Sequence, residues 1–152
     1  MDILFALEDS SIGVMISSSI WGYPIALSLH ALGMGVLVGI SVMLALRILG
    51  FADAIPRSAV MPYWRLAQAG FALNLISGTA LFMGSAASLG LNWALYAKFI
   101  CLIVSLFLTY RMVKVGYRTQ GDVNRKDRHL AVAAICSWVA TIIFGRLIGY
   151  IF

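Results

Sequence analysis

The sequence predicts an all-α integral membrane protein: a four-helix bundle with a short amphipathic N-terminal interfacial helix. Composition, the spacing of the apolar runs and the placement of charge lead there. Of 152 residues, 62% are hydrophobic and only 11% charged, with a mean hydropathy of +0.96. A soluble domain is about half apolar and about a quarter charged. The excess cannot all face one small core and calls for the bilayer as solvent. A spanning helix takes roughly 20 residues, so the length allows four spans with short connections and leaves no room for a separate soluble domain.

Residues 3–18 (ILFALEDSSIGVMISS) mix apolar and acidic groups. Leu4, Leu7, Ile12 and Met15 can share one face, and the segment is too polar to span, so an interfacial helix is expected. Asp2, Glu8 and Asp9, with no Lys or Arg, give the wrong charge pattern for a secretory signal.

Span one is expected over 21–46, with Trp21 and Tyr23 as interfacial anchors, Pro24 in the first turn and Arg47 closing it. Gly50, Pro56 and Pro62 mark the following loop. Span two is expected over 64–87, with a turn through Gly90. Span three covers 93–113. A basic loop over 114–128, with Gly121 and Asp122, precedes span four at 129–152.

Nine of the eleven basic residues (Arg47, Arg57, Arg65, Arg111, Lys114, Arg118, Arg125, Lys126 and Arg128) fall on one side of this arrangement. The positive-inside rule makes that side cytoplasmic. The expected location is the bacterial inner membrane, with both termini on the periplasmic side. The net charge of +5 therefore reads as topology, and no nucleic-acid partner is expected.

The two remaining cations lie inside predicted spans. Lys98 is five residues into span three and Arg146 six from the end of span four, both roughly 8–9 Å deep from the outer side at 1.5 Å per residue. His30 lies roughly 9–13 Å deep in span one on the same side. Intramembrane ionisable groups are costly and usually face a bundle interior, a cavity or a partner. His30, Lys98 and Arg146 are the candidate site, with Tyr150 one turn beyond Arg146 and Met34 one turn beyond His30.

A neutral histidine at this depth can ligate haem iron, hydrogen-bond a quinone or bind a metal; Met34 adds a possible His/Met metal pair. His30 sits beside a small-residue stripe of Ala31, Gly35 and Gly39, which permits close packing or approach of a flat cofactor. His129 is expected at the far interface, too distant to share a haem with His30. Asn74, Ser77, Thr79, Ser137 and Trp138 read as interhelical hydrogen-bonding groups. Cys101 and Cys136 read as small core residues, their spacing fitting neither a zinc motif nor a disulfide framework.

No phosphate loop, hydrolytic triad or intramembrane acid is present in the sequence, so the chain is not expected to be catalytic alone. Three functions follow in order. The first is a subunit of a membrane electron-transfer assembly with a haem b or quinone site near the outer face. The second is a cofactor-free anchor or assembly subunit of a larger complex. The third is a small oligomeric permeation protein. Partners besides the lipid bilayer are other membrane or periplasmic subunits, or further copies of the chain.

The order Trp21, Pro24, His30, Gly33, Gly39, Leu46-Arg47, Leu49-Gly50, Gly78, Leu81-Phe82, Asn92, Lys98, Ser137-Trp138, Gly145-Arg146 and Tyr150 resembles a family of small bacterial four-span membrane proteins of unknown function. The resemblance covers nearly the whole chain and implies the four-span fold. It also implies an acidic residue three positions before the histidine, where this chain has Leu27, and a second histidine ending span three, where it has Tyr110. The general look is similar to small haem-b or quinone-associated membrane subunits.

Overall fold

A computed structural model describes residues 2–118 and 123–150. The described residues form helices and turns without a strand. The elements are α1 (Asp2–Glu8), α2 (Ser11–Ser18), α3 (Gly22–Leu49), a 3-10 turn (Arg57–Ala59), α4 (Val60–Met83), α5 (Ala86–Leu89), α6 (Trp93–Arg118) and α7 (Arg125–Leu147). Helices α3, α4, α6 and α7 are long and apolar enough to cross a membrane, as expected of a multi-pass four-helix bundle. Their outer surfaces carry large aliphatic groups mid-span, with Ile76 70% and Ile103 67% exposed. Such surfaces suit lipid rather than water.

The boundaries move for identifiable reasons. The N-terminal segment is two short helices, not one. Ser10 breaks it, accepting a hydrogen bond from Gly13 N at 3.2 Å as the N-cap of α2. Helix α3 runs three residues past Leu46 and stops at Gly50, whose φ of 89° suits glycine. Arg47, inside that last turn, donates from Nε to Ile55 O at 2.8 Å and holds the loop.

Pro62 lies in the first turn of α4, where its missing N–H costs nothing. Helix α6 continues through 114–118 rather than ending at Val113. Its last turns are favourable for cations at a helix C-terminus. Helix α7 begins four residues before His129, because Asp127 accepts from Asn124 N at 3.2 Å and nucleates the first turn. It ends at Leu147, with a turn through Tyr150. Gly121, Asp122 and residues 151–152 lie outside the described residues, as do the side chains of Arg57 and Arg118.

Helices α3 and α4 form one tightly packed antiparallel pair and α6 and α7 another. The pairs meet mainly where α3 packs on α7, while α4 and α6 touch little. In the first pair the backbones come together at glycines. A Cβ on Gly33 would lie 2.8 Å from both Asn74 N and Gly70 O. Gly35 and Gly39 meet nothing within 4 Å and are exposed, so Gly33 makes this contact and the expected stripe faces outward.

The core is built from Leu37, Ile40, Leu44, Val60, Ala67, Val113 and Trp138. A second cluster of Ala45, Ile48, Met112, Ala131 and Ala134 fills the end near the α6–α7 connection. That end carries the basic residues and is called the basic end; the opposite one, where α1, α2 and the close of α7 lie, is the terminal end.

At the terminal end α1 lies over α5 in the α4–α6 connection, while α2 packs on α3 and α4. Glu8 accepts from Ala87 N at 2.9 Å, and Leu4 packs on Gly90. Asn92 caps α6, accepting from Ala94 N at 2.9 Å. Its Nδ2 donates to Ile148 O at 3.4 Å, tying the start of α6 to the end of α7.

Candidate functional site

Helix α3 presents His30 to the face of α4 that carries Asn74, Ser77 and Gly78. His30 Nδ1 lies 3.2 Å from Asn74 O and 3.3 Å from Ser77 Oγ. The Asn74 carbonyl can only accept, so Nδ1 is the protonated ring nitrogen. Asn74 Nδ2 donates in return to His30 O at 3.1 Å. A neutral ring so held keeps its lone pair on Nε2, and among the described residues Nε2 has no hydrogen-bond partner.

Gly78 explains how the ring fits. A Cβ there would meet His30 Cε1 at 2.9 Å and Nδ1 at 3.2 Å. The imidazole therefore rests against bare backbone, and any side chain at Gly78 would displace it.

Helix α6 brings Lys98 to the same layer, where its ammonium is close enough to His30 for the two to interact electrostatically. Its chain runs beside Gly145 of α7: a Cβ there would lie 3.6–3.8 Å from Lys98 Cδ, Cε and Nζ. Lys98 is half-buried and, among the described residues, has neither a hydrogen-bond nor an ion-pair partner. Three helices thus contribute His30, Asn74 and Lys98 to this half of the bundle, and Lys98 packs along Gly145 of the fourth, where a Cβ would make only ordinary contact.

The other candidates stand apart. Arg146 follows Gly145 but is exposed, and Tyr150 is 79% exposed. Met34 is half-buried one turn along α3 from His30. Residues four apart on one helix project to the same side, so Met34 lies on the His30 side of α3. Among the described residues no three His, Cys, Asp or Glu side chains cluster as a metal site would require. His129 is exposed at the start of α7, remote from His30. Cys136 is exposed rather than in the core, while Cys101 is half-buried; both are free thiols.

An apolar cleft of about 240 Å³ at the terminal end is lined by Leu4, Phe82, Gly90, Leu95, Tyr96 and Phe99, and not by His30, Asn74 or Lys98. Phe82 is one helical turn beyond Gly78, and Leu95 and Phe99 flank Lys98. Tyr96 donates its hydroxyl to Gly90 O at 2.7 Å, fixing one wall. The cleft lies in the loosely packed seam between α4 and α6, under α1.

A second polar group holds α6 to α7. Ser105 Oγ lies 2.7 Å from Ser137 Oγ and 3.2 Å from Thr141 Oγ1, and Trp138 Nε1 donates to Thr109 Oγ1 at 3.1 Å. Ser137 and Trp138 thus do bond between helices, as expected, whereas Thr79 is exposed and donates only to Leu75 O within α4. Ser105, Thr109 and Thr141 complete the group without having been expected there. Their signal was the spacing 98, 105, 109 on α6 against 137, 141, 145 on α7, two polar or small stripes at helical period.

No protein-family model, curated protein or solved structure matches this chain.

Proposed function

We propose that this protein is a membrane subunit of an electron-transfer assembly and that it binds a quinone or quinol head group at His30 and Lys98. The observation that carries this reading is an imidazole with Nδ1 anchored and Nε2 free, with the unpaired Lys98 side chain within electrostatic range. Nε2 accepts from a quinol hydroxyl, and the Lys98 ammonium donates to a quinone carbonyl. The apolar cleft in the α4–α6 seam of the same half of the bundle offers hydrophobic surface to the rest of such a ligand.

Haem b fits these residues less well. Among the described residues no second histidine lies near His30 to share a haem with it, His129 standing at the opposite end of the bundle. The placement of nine basic residues at one end supports a bacterial inner-membrane location with the terminal end outward. A second reading, a cofactor-free anchor, is favoured by the exposed Gly35 and Gly39 face of α3, which suits packing against a partner helix.

The test is purification of the full chain in mild detergent, followed by an optical spectrum, quinone extraction and titration with a short-chain quinone. The expected result is saturable quinone binding that His30→Ala and Lys98→Ala each abolish, with no Soret band. A Soret band would return the site to haem. Absence of both pigment and quinone binding would leave the anchor.

A further inference from the structure

The basic end of α6 carries a feature the quinone reading does not use. Phe107, Tyr110, Arg111 and Lys114 fall three or four residues apart and so share one stripe. Lys114 Nζ lies 4.6 Å from the Tyr110 ring centroid, and Arg111 Cζ lies 5.8 Å from that of Phe107. Trp64 of α4 packs on the other side, its ring centroid 6.4 Å from that of Tyr110. Both cations are exposed, and among the described residues neither forms an ion pair. The rings hold the charges in place without neutralising them, which leaves N–H donors free and lowers the entropy cost of using them.

Towards the membrane centre the same stripe turns aliphatic, with Ile103 and Ile100 strongly exposed. From the basic end inward, the surface therefore runs cation, aromatic ring, aliphatic chain. A phospholipid has the matching order of phosphate, glycerol ester and acyl chain. No carboxylate of the described chain competes for the two cations, so the complementary charge is anionic.

We propose that the basic end of α6 binds an anionic phospholipid of the adjacent leaflet. Its phosphate is held by Arg111 and Lys114, its glycerol region lies against Tyr110 and Trp64, and its acyl chain lies along Phe107 and Ile103. The site is independent of His30 and Lys98.

The experiment is native mass spectrometry and thermal melting of the full chain with phosphatidylglycerol, phosphatidylcholine or inorganic phosphate. Wild type is expected to retain phosphatidylglycerol over phosphatidylcholine and to melt higher with it, and to ignore inorganic phosphate. R111Q/K114Q is expected to weaken phosphatidylglycerol binding about fivefold per cation removed. R125Q/K126Q makes the same charge change at exposed positions away from the stripe and is expected to keep the preference. Equal loss in both double variants would overturn the proposal in favour of diffuse surface attraction. Retained preference in R111Q/K114Q, or an equal response to phosphatidylcholine or phosphate, would also overturn it. Should R111Q/K114Q fail to fold, Tyr110→Leu keeps both charges and is still expected to lower the preference; an unchanged preference there counts against the proposal.

Discussion

His30 and Asn74 are bonded to each other twice. The ring Nδ1 donates to the Asn74 backbone carbonyl at 3.2 Å, and the Asn74 side chain donates to the His30 carbonyl at 3.1 Å. The pair orients the imidazole and joins α3 to α4 at one point. Asn74→Leu removes the side-chain half and leaves the carbonyl half intact. We expect a loss of about 0.6–1.7 kcal/mol in unfolding free energy, read by denaturant titration in detergent. Quinone affinity should fall less than in His30→Ala, because Nδ1 keeps its backbone acceptor.

Gly78→Ala attacks the same ring from its other edge. The new methyl would sit 2.9 Å from Cε1, and the imidazole must move. Quinone affinity should fall at least tenfold, with a change in the ¹⁵N chemical shifts of the His30 ring. Gly35→Ala, where nothing lies within 4 Å, should leave both unchanged.

Gly33→Ala probes packing rather than the site. Its methyl would meet backbone atoms of α4 on two sides at 2.8 Å, and backbone cannot step aside as a side chain does. The helices must separate, at a cost of about 1–3 kcal/mol. A lower melting temperature with unchanged helix content in circular dichroism is the expected outcome; unaltered melting would mean that the α3–α4 contact is looser than described.

The four spans were legible in the sequence because hydrophobic length is a direct readout of bilayer thickness. Their ends were less so. Asp127 extends α7 back to Arg125 through one backbone bond, an effect that hydropathy does not register. Depth placed His30 and Lys98 in a common layer, but depth says nothing about rotation about the helix axis. Arg146 shares that depth and points outward. The same limit hid Gly33: Gly35 and Gly39 have the familiar spacing, yet the face of α3 that meets α4 is about 200° around the helix from Gly35 at 100° per residue. Ser105 reads as an ordinary small residue until Ser137 and Thr141 are set opposite it.

Ser105 is the hub of the α6–α7 contact. Ser105→Ala should cost about 1 kcal/mol, and a double-mutant cycle with Ser137→Ala should return a coupling near 0.6 kcal/mol. Additive effects in that cycle would show that the 2.7 Å contact contributes no more than packing.

Glu8→Ala releases the bond to Ala87 N. Because α1 buries no residue, little else fixes it. We expect faster protease cleavage and amide exchange in α1, with the melting of the four long helices unchanged. Equal protection in the variant would show that Leu4 alone keeps α1 in place.

The division into an α3–α4 pair and an α6–α7 pair bears on biogenesis. Each pair is a helical hairpin able to enter the membrane as a unit, but His30 arrives with the first and Lys98 with the second. Until the halves associate, the second must carry a lone lysine within the apolar phase, a burden of roughly 2.5–3.5 kcal/mol at mid-bilayer and less near the interface. Association brings that lysine within electrostatic range of His30. The layer that holds His30 and Lys98 is thus absent from either hairpin alone and forms only when the two pairs pack together.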